Sequence, residues 1–368
     1  MVKKHKALKL ILVGDIALGD HPKSVGFGFY SKYKEGIPLS KAETLFPKVL
    51  KADIIFGNLE FNIGGSVLSG VDFSDLNCRG ISQYADFLVK SGINVLNMAN
   101  NHIFQHGREE CDNTIKLLSD RGISLVGLKD EYGHNKFIKV GDQIIAFLGW
   151  SARPRQGFDG VPPYKEFEES ECYKEIEETK SFADFICVSF HWGEEFIEIP
   201  SDEEKRIAKA MIDKGANVVV GHHPHVIREV EEYNGGVIAY SLGNFICDMT
   251  WNKATANTGL LYIDFSNGLI RDWKWFPGFI GKDYFPHCDK ASTRKPVDGS
   301  TKKYCLLYDK LKRQSYNELA AKALSRHRRL TLFHMAKNFH KYSPKIVLDI
   351  ILNAIKVRFS QKDCKDTK

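Results

Sequence analysis

Along the chain, short apolar runs alternate with longer stretches in which apolar residues recur every three to four positions. The runs cover 8–16, 53–58, 94–98, 124–128, 185–190 and 217–220, lengths that suit strands rather than helices. Between them the helical pattern falls near 81–91, 108–121, 171–182 and 202–214. Strands alternating with helices predict an α/β fold with a parallel-rich sheet. Three turn signals modify that picture. Val140-Gly141-Asp142-Gln143, Tyr233-Asn234-Gly235-Gly236 and Asn267-Gly268 each predict a hairpin, so part of the sheet should be antiparallel.

Beyond the last hairpin the pattern changes, and it divides the chain into a main domain over 1–280, an irregular linker over 281–303 and a helical tail over 304–368. In the tail, Leu332, Met335, Ala336 and Phe339 recur at i, i+3, i+4 and i+7 as an apolar stripe. After Pro344, the polar Lys345, Asp349, Asn353 and Lys356 mark one face of an otherwise apolar helix.

Charge follows the same division. From Ser300 onward there are 17 Lys+Arg against 5 Asp+Glu, whereas the preceding 299 residues hold 35 against 41. A basic tail on an acidic body suggests an anionic partner for the tail alone. The usual explanation of such a helix is a solvated face packed on the domain. The sharper one is attachment to the anionic inner face of a membrane, with Arg326, Arg328 and Arg329 beside the apolar stripe. Nucleic acid is not expected as a partner, because the body is acidic and no readout motif occurs.

The 368 residues allow one large domain with an appendage. The basic opening and Leu10-Ile11-Leu12-Val13 imitate a signal peptide, but the run stops at Gly14-Asp15 with no cleavage site after it, so a strand is the better reading. No run of about 18 apolar residues occurs, the length a spanning helix needs. Eight Cys without a C-x-x-C pair point to free thiols in a reducing compartment. The expected location is the cytoplasm.

The chemistry sits where the strands end. They run into Gly14-Asp15, Gly57-Asn58-Leu59-Glu60, Ala99-Asn100-Asn101-His102, His191-Trp192-Gly193 and Gly221-His222-His223-Pro224-His225. In an open α/β sheet these ends share one edge, where ligands bind. Carboxylate, amide oxygen and imidazole together suit Mn, Fe or Zn, and the lack of Cys among them argues against a structural zinc site. Six candidate ligands exceed what one catalytic ion with an open position needs. They suit two ions about 3.5–4 Å apart.

With Tyr240-Ser241-Leu242-Gly243-Asn244-Phe245 added, these motifs resemble the poly-gamma-glutamate capsule synthesis (CapA) family, itself similar in fold to the calcineurin-like metallophosphoesterases. The resemblance spans roughly 8–265 with the motifs in family order. It implies a four-layer αββα sandwich of mixed sheets, followed here by the basic helical extension. It places Asp15 and His225 on one metal, and Asn101, His191 and His223 on the second. Glu60 stands where phosphoesterases usually place a bridging Asp. His102 stands where they place the His that protonates the leaving oxygen, and Arg79 is implied as a clamp for phosphate or carboxylate. Asn244 would line the site. His222 is expected to pack or to support a ligand, and His106 to lie at the surface or behind the ligands. Tyr240 and Phe245 are expected in the core. Two departures matter: Ala17 replaces a His ligand, and Ile103 with Gln105-His106 replaces the acidic neighbour that usually orients the catalytic His.

The expected function is a dinuclear-metal hydrolase, a phosphatase or phosphodiesterase of capsule, exopolysaccharide or poly-gamma-glutamate biosynthesis. Its substrate would be a phosphorylated small molecule or an acidic polymer. The alternatives are a non-catalytic accessory subunit of a membrane-associated polymer synthesis complex, and an amide hydrolase acting on an acidic polymer.

Overall fold

β1 (Leu8–Ile16) is buried along nearly its whole length because each of its faces meets another layer. Leu8, Leu10 and Leu12 point into a core shared with a second sheet, while Ile11 and Val13 point into a core shared with helices. That double burial is why the middle of the strand, Leu10-Ile11-Leu12-Val13, reads as an unbroken apolar run. The computed structural model of the chain describes residues 7–48, 50–65, 73–130, 136–157, 160–288 and 314–352.

The first sheet also contains β2 (Ile54–Leu59), β5 (Val95–Asn97), β6 (Ser124–Val126), β13 (Asn244–Ile246), β14 (Asn257–Ser266), β15 (Leu269–Ile280) and β16 (Pro286–His287). Its order is β16-β15-β14-β1-β2-β5-β6, with β13 also paired to β1. The second sheet contains β7 (Phe137–Val140), β8 (Gln143–Ser151), β9 (Phe185–His191), β10 (Val218–His222), β11 (Val230–Tyr233) and β12 (Gly236–Ala239), in the order β11-β12-β10-β9-β8-β7. A separate ribbon pairs β3 (Asn62–Gly65) with β4 (Arg79–Ile81). All three expected hairpins form, joining β7 to β8, β11 to β12 and β14 to β15.

Phe56, Phe147, Phe185 and Val220 belong to the core between the sheets. The helices Glu169–Thr179 and Asp202–Lys214 cover the outer face of the second sheet, where Cys172, Ile176, Ala208 and Met211 pack on Ile186, Val188 and Val219. The helices Tyr84–Lys90 and Arg108–Ser119 cover the first, through Phe87, Leu88, Ile115 and Leu118. The result is a four-layer αββα sandwich of mixed sheets, the fold class the motifs imply.

The C-terminal extension is helical over Tyr316–Lys337, but the face it buries is not the apolar stripe. Leu319, His327 and Thr331 face inward, while Leu332 and Phe339 are exposed. The reason lies in what the body offers that helix. Trp251 Nε1 donates to Thr331 Oγ1 at 3.1 Å, Asn252 Nδ2 lies 3.2 Å from His327 Nδ1, and the His334 ring stacks on Trp251 at 4.4 Å. A polar and aromatic seam outcompetes an aliphatic one here. After Pro344, Ile346 is buried and Asp349 accepts from the Phe73 N–H at 3.3 Å, so the face marked by Asp349 turns partly inward. Asn353, Lys356 and most of the expected linker lie outside the described residues.

Candidate metal centre

The site forms where β1, β2, β9 and β10 end. Parallel pairing sets Asp15 beside Asn58 and His222 beside His191, so residues distant in sequence meet at one rim. Asp15 is also paired with Asn244, and that approach requires Gly14: a Cβ there would lie 1.8 Å from the Gly243 carbonyl oxygen.

Two groups of three side chains converge. Donor atoms of Asp15, Glu60 and His191 lie within 4.8 Å of one another, and so do those of Glu60, His223 and His225. Glu60 belongs to both. All five residues are buried. Asn101 joins through its Oδ1, 2.7 Å from His191 Nε2. Proximity therefore groups His191 with Asp15 and His223 with His225, whereas the resemblance divides them the other way. It also places Glu60 between the groups, the position of a bridging carboxylate.

Behind these donors runs a chain of amides. Asn58 Nδ2 donates to Asp15 Oδ1 and to Glu60 Oε2, each at 2.8 Å, and Asn58 Oδ1 accepts from Asn97 at 2.9 Å. Asn244 Oδ1 lies 2.9 Å from His225 Nδ1, and Asn244 Nδ2 donates to the Thr255 carbonyl. Such partners fix ligand orientation. Asn58 was legible in outline, because spacing of two on a strand puts it on the same face as Glu60.

Electrostatics separates the two carboxylates. Burial raises the Asp15 carboxyl, but the imidazoles of His222, His225 and His191 outweigh it and hold it well below the ordinary carboxylate range. Glu60 moves the other way: burial and then the neighbouring Asp15 push it well above. Burial also lowers His191 and His223, which favours the uncharged form in which imidazole binds a metal.

The donor set fits divalent cations. Glu60 Oε1, His191 Nδ1 and both ring nitrogens of His223 are buried and make no hydrogen bond. Buried polar groups are normally satisfied, so several orphaned lone pairs in one place need a common acceptor. His222 is buried beside them, its Nδ1 3.2 Å from Asp15 Oδ1. The backbone is strained here too: His223 and His225 have φ of 93° and 57°, unusual for residues with a side chain.

His102 lies at the edge of this cluster, with Nε2 4.0 Å from Glu60 Oε1 and Nδ1 2.7 Å from Gln105 Oε1. Gln105, rather than an acidic residue, thus orients the ring, and burial pushes it down to about 4. Arg79 ends elsewhere. Its Nε and Nη2 donate to both oxygens of Glu110 at 3.0 and 2.8 Å, so its fork is already engaged. His106 Nε2 lies 2.8 Å from the Asn77 carbonyl oxygen. Tyr240 and Phe245 are core residues.

Three residues beside the site escaped the sequence reading. The Phe196 ring stacks 6.0 Å from His225 and 3.6 Å from His327, the latter at an interplanar angle of 3°. His21 packs edge-on against Trp251 at 5.1 Å. Arg153, after β8, is close enough to depress His223 further. Only the folded chain brings the tail's His327 to this rim, and no local pattern announces it.

Next to the site, Asp20 and Asp248 converge over the Gly28 backbone, where a Cβ would lie 2.1 Å from Asp248 Oδ2 and 2.8 Å from Asp20 Oδ1. Burial raises Asp20 to about 6; burial and then the charge of Asp20 raise Asp248 to about 8. Both folded values exceed the unfolded one, so the native state holds extra protons between roughly pH 4 and 8. Their effect on stability is therefore most favourable below pH 4 and is lost as pH rises through 6 and 8. Asp248→Asn should flatten that loss, which urea denaturation of metal-free protein at pH 5, 6.5 and 8 measures; an unchanged slope would contradict it.

Fold and donor set together define a four-layer α/β protein with a buried candidate metal centre. The chain belongs to the family described as bacterial capsule synthesis protein PGA_cap, which matches residues 9–249. It is 30% identical over 276 residues to the PGA biosynthesis protein CapA of Bacillus subtilis (strain 168), covering 72% of this chain and 70% of that one. It is 28% identical over 283 residues to the capsule biosynthesis protein CapA of Bacillus anthracis, covering 72% of this chain and 66% of that one. The chain thus spans about two thirds of the length of these relatives. Among solved structures it is similar to the 5'-nucleotidase of Candida albicans SC5314, at 10% identity and TM-score 0.42, covering 89% of this chain and 60% of that one.

Proposed function

We propose that this chain is a dinuclear-metal hydrolase of capsule or poly-gamma-glutamate biosynthesis, cleaving a phosphoester bond. The observation that carries the reading is the shared Glu60, which belongs to two three-donor groups at once. Two divalent ions held there would supply charge stabilisation for an in-line displacement and activation of the attacking water.

The chain's own residues do the rest. Asp15, Glu60, His191, His223 and His225 hold the ions, with Asn101 positioned against His191. Asn58 keeps the two carboxylates apart at a fixed spacing by donating to both. His102 faces the cluster through Nε2 while Gln105 Oε1 accepts from its Nδ1–H, so the neutral ring that burial favours would first take a proton at Nε2 from the attacking water and then pass it to the departing oxygen. Arg153 adds positive charge on the His223 side.

Purified protein reloaded with Mn should hydrolyse p-nitrophenyl phosphate or its bis ester, and Asp15→Ala or His223→Ala should reduce turnover by on the order of 10³-fold. The ratio between the two substrates separates a monoesterase from a diesterase. A second reading, hydrolysis of an amide bond in an acidic polymer, is favoured by the similarity to the PGA biosynthesis protein of Bacillus subtilis. Metal-loaded protein that is silent on both esters but shortens poly-gamma-glutamate would replace the first reading with the second.

A further inference from the structure

The helix Tyr316–Lys337 is fastened by its inner face. Leu319 packs with Ile197 and Ile199, His327 stacks on Phe196, and Thr331 accepts from Trp251. With that face fixed, 100° per residue carries Arg328, Arg329, Leu332 and Phe333 around to the opposite side. They cannot rotate inward without breaking those contacts. Leu332 is 65% exposed and Phe333 is 70% exposed; Phe339, just beyond, is 63% exposed.

This is not the scatter of single apolar residues that any surface carries. Of the thirteen large hydrophobic side chains exposed among the described residues, seven fall between Leu330 and Leu352: Leu330, Leu332, Phe333, Phe339, Leu348, Ile351 and Leu352. The same stretch is basic, with six Lys and Arg against one Asp between Arg326 and Leu352. Arg326, Arg328 and Arg329 are exposed, and none forms an ion pair with a carboxylate of the described residues.

We propose that this outer face docks on an anionic lipid bilayer. Charge complementarity selects that occupant. A nucleic acid would meet the arginines but leave exposed Leu and Phe without apolar contact. An apolar groove on another protein would take Leu332 and Phe333 but gain nothing from the arginines around them. A bilayer with anionic headgroups satisfies both, with the apolar side chains entering the headgroup–acyl boundary and the cations lying among the phosphates. The acidic body, 35 Lys+Arg against 41 Asp+Glu before Ser300, is repelled by the same surface, so the chain would bind in one orientation. No helix among the described residues is long and apolar enough to cross a membrane, so the contact is peripheral.

Cosedimentation of the full chain with vesicles tests this without reference to the metal site. Vesicles of phosphatidylcholine with about one third phosphatidylglycerol should pull the protein down, phosphatidylcholine alone should do so at least tenfold less well, and salt should weaken the binding. Arg328→Glu with Arg329→Glu, and separately Leu332→Ser with Phe333→Ser, should each reduce binding tenfold or more while far-UV circular dichroism and the melting temperature stay as in the parent. Absence of binding to either vesicle would overturn the proposal, as would binding that both double variants retain. A concentration-dependent dimer that Leu332→Ser with Phe333→Ser dissolves would assign the face to a second copy instead, and would also overturn it.

Discussion

Glu60→Gln should yield a protein more stable than the parent without metal, yet inactive with it. Glu60 is 1% exposed, its Oε1 accepts no hydrogen bond, and its charge faces that of Asp15. A neutral amide of the same shape removes the repulsion and the burial of charge, and its oxygen can still accept from Asn58. The gain should be about 1–3 kcal/mol in urea denaturation of the metal-free protein at neutral pH. With metal the order reverses. The parent gains about 2.7 kcal/mol when the free ion is 100-fold above its Kd, whereas the variant gains little because both donor groups lose the residue they share. Turnover should fall by on the order of 10³-fold or more. A metal-free variant less stable than the parent would make Glu60 a structural acceptor rather than a ligand.

The largest loss of stability should follow Arg228→Ala. Arg228 is fully buried and has four partners, one of them the Tyr316 hydroxyl, 3.4 Å from Nη2. Nε donates to the Ile197 carbonyl at 2.9 Å, Nη2 to the Glu194 carbonyl at 2.8 Å, and Nη1 to the Glu204 carboxylate. Glu204 is itself buried in the capping box that opens the helix Asp202–Lys214. Removing the guanidinium strands a buried carboxylate and two carbonyls, a change of about 3–5 kcal/mol. Arg228→Lys should recover little, because one ammonium cannot reproduce the planar fork. The damage should also reach the metal centre. The 194–197 segment carries Phe196, whose N–H donates to the Pro224 carbonyl at 2.9 Å and whose ring lies against His225. Calorimetric titration with Mn should therefore show weaker binding in whatever folded fraction remains. A loss below about 1 kcal/mol would mean that this pair contributes nothing beyond what water provides.

Most of the fold was legible because it depends on local signals. Strands sandwiched between layers appear as apolar runs, and Asn-Gly or Gly-Asp turns announce hairpins. The ends of β9 and β10 extend past the runs, to His191 and His222, because there the strand continues in polar residues that no hydrophobic pattern marks. The short ribbon of β3 and β4 was missed for a similar reason, since Asn62–Gly65 has no apolar period. At the site, Asp15, Glu60, Asn101, His191, His223 and His225 stand in motifs at strand ends, so their convergence follows from parallel pairing. Other contacts depend on distance in space alone. Arg79 reads as a free clamp until Glu110, on another element, takes its fork. His327 reads as one residue of a tail until the helix folds back onto Phe196. The face by which the tail helix attaches carries no periodic signal, because periodicity counts apolar residues and the seam against Trp251 and Asn252 is polar and aromatic.

Elemental analysis of the purified, metal-reconstituted protein tests the central claim most directly. Two divalent ions per chain, with fewer in Glu60→Gln than in the parent, is the predicted result. No bound ion in the parent after reconstitution with Mn, Fe and Zn in turn would contradict it.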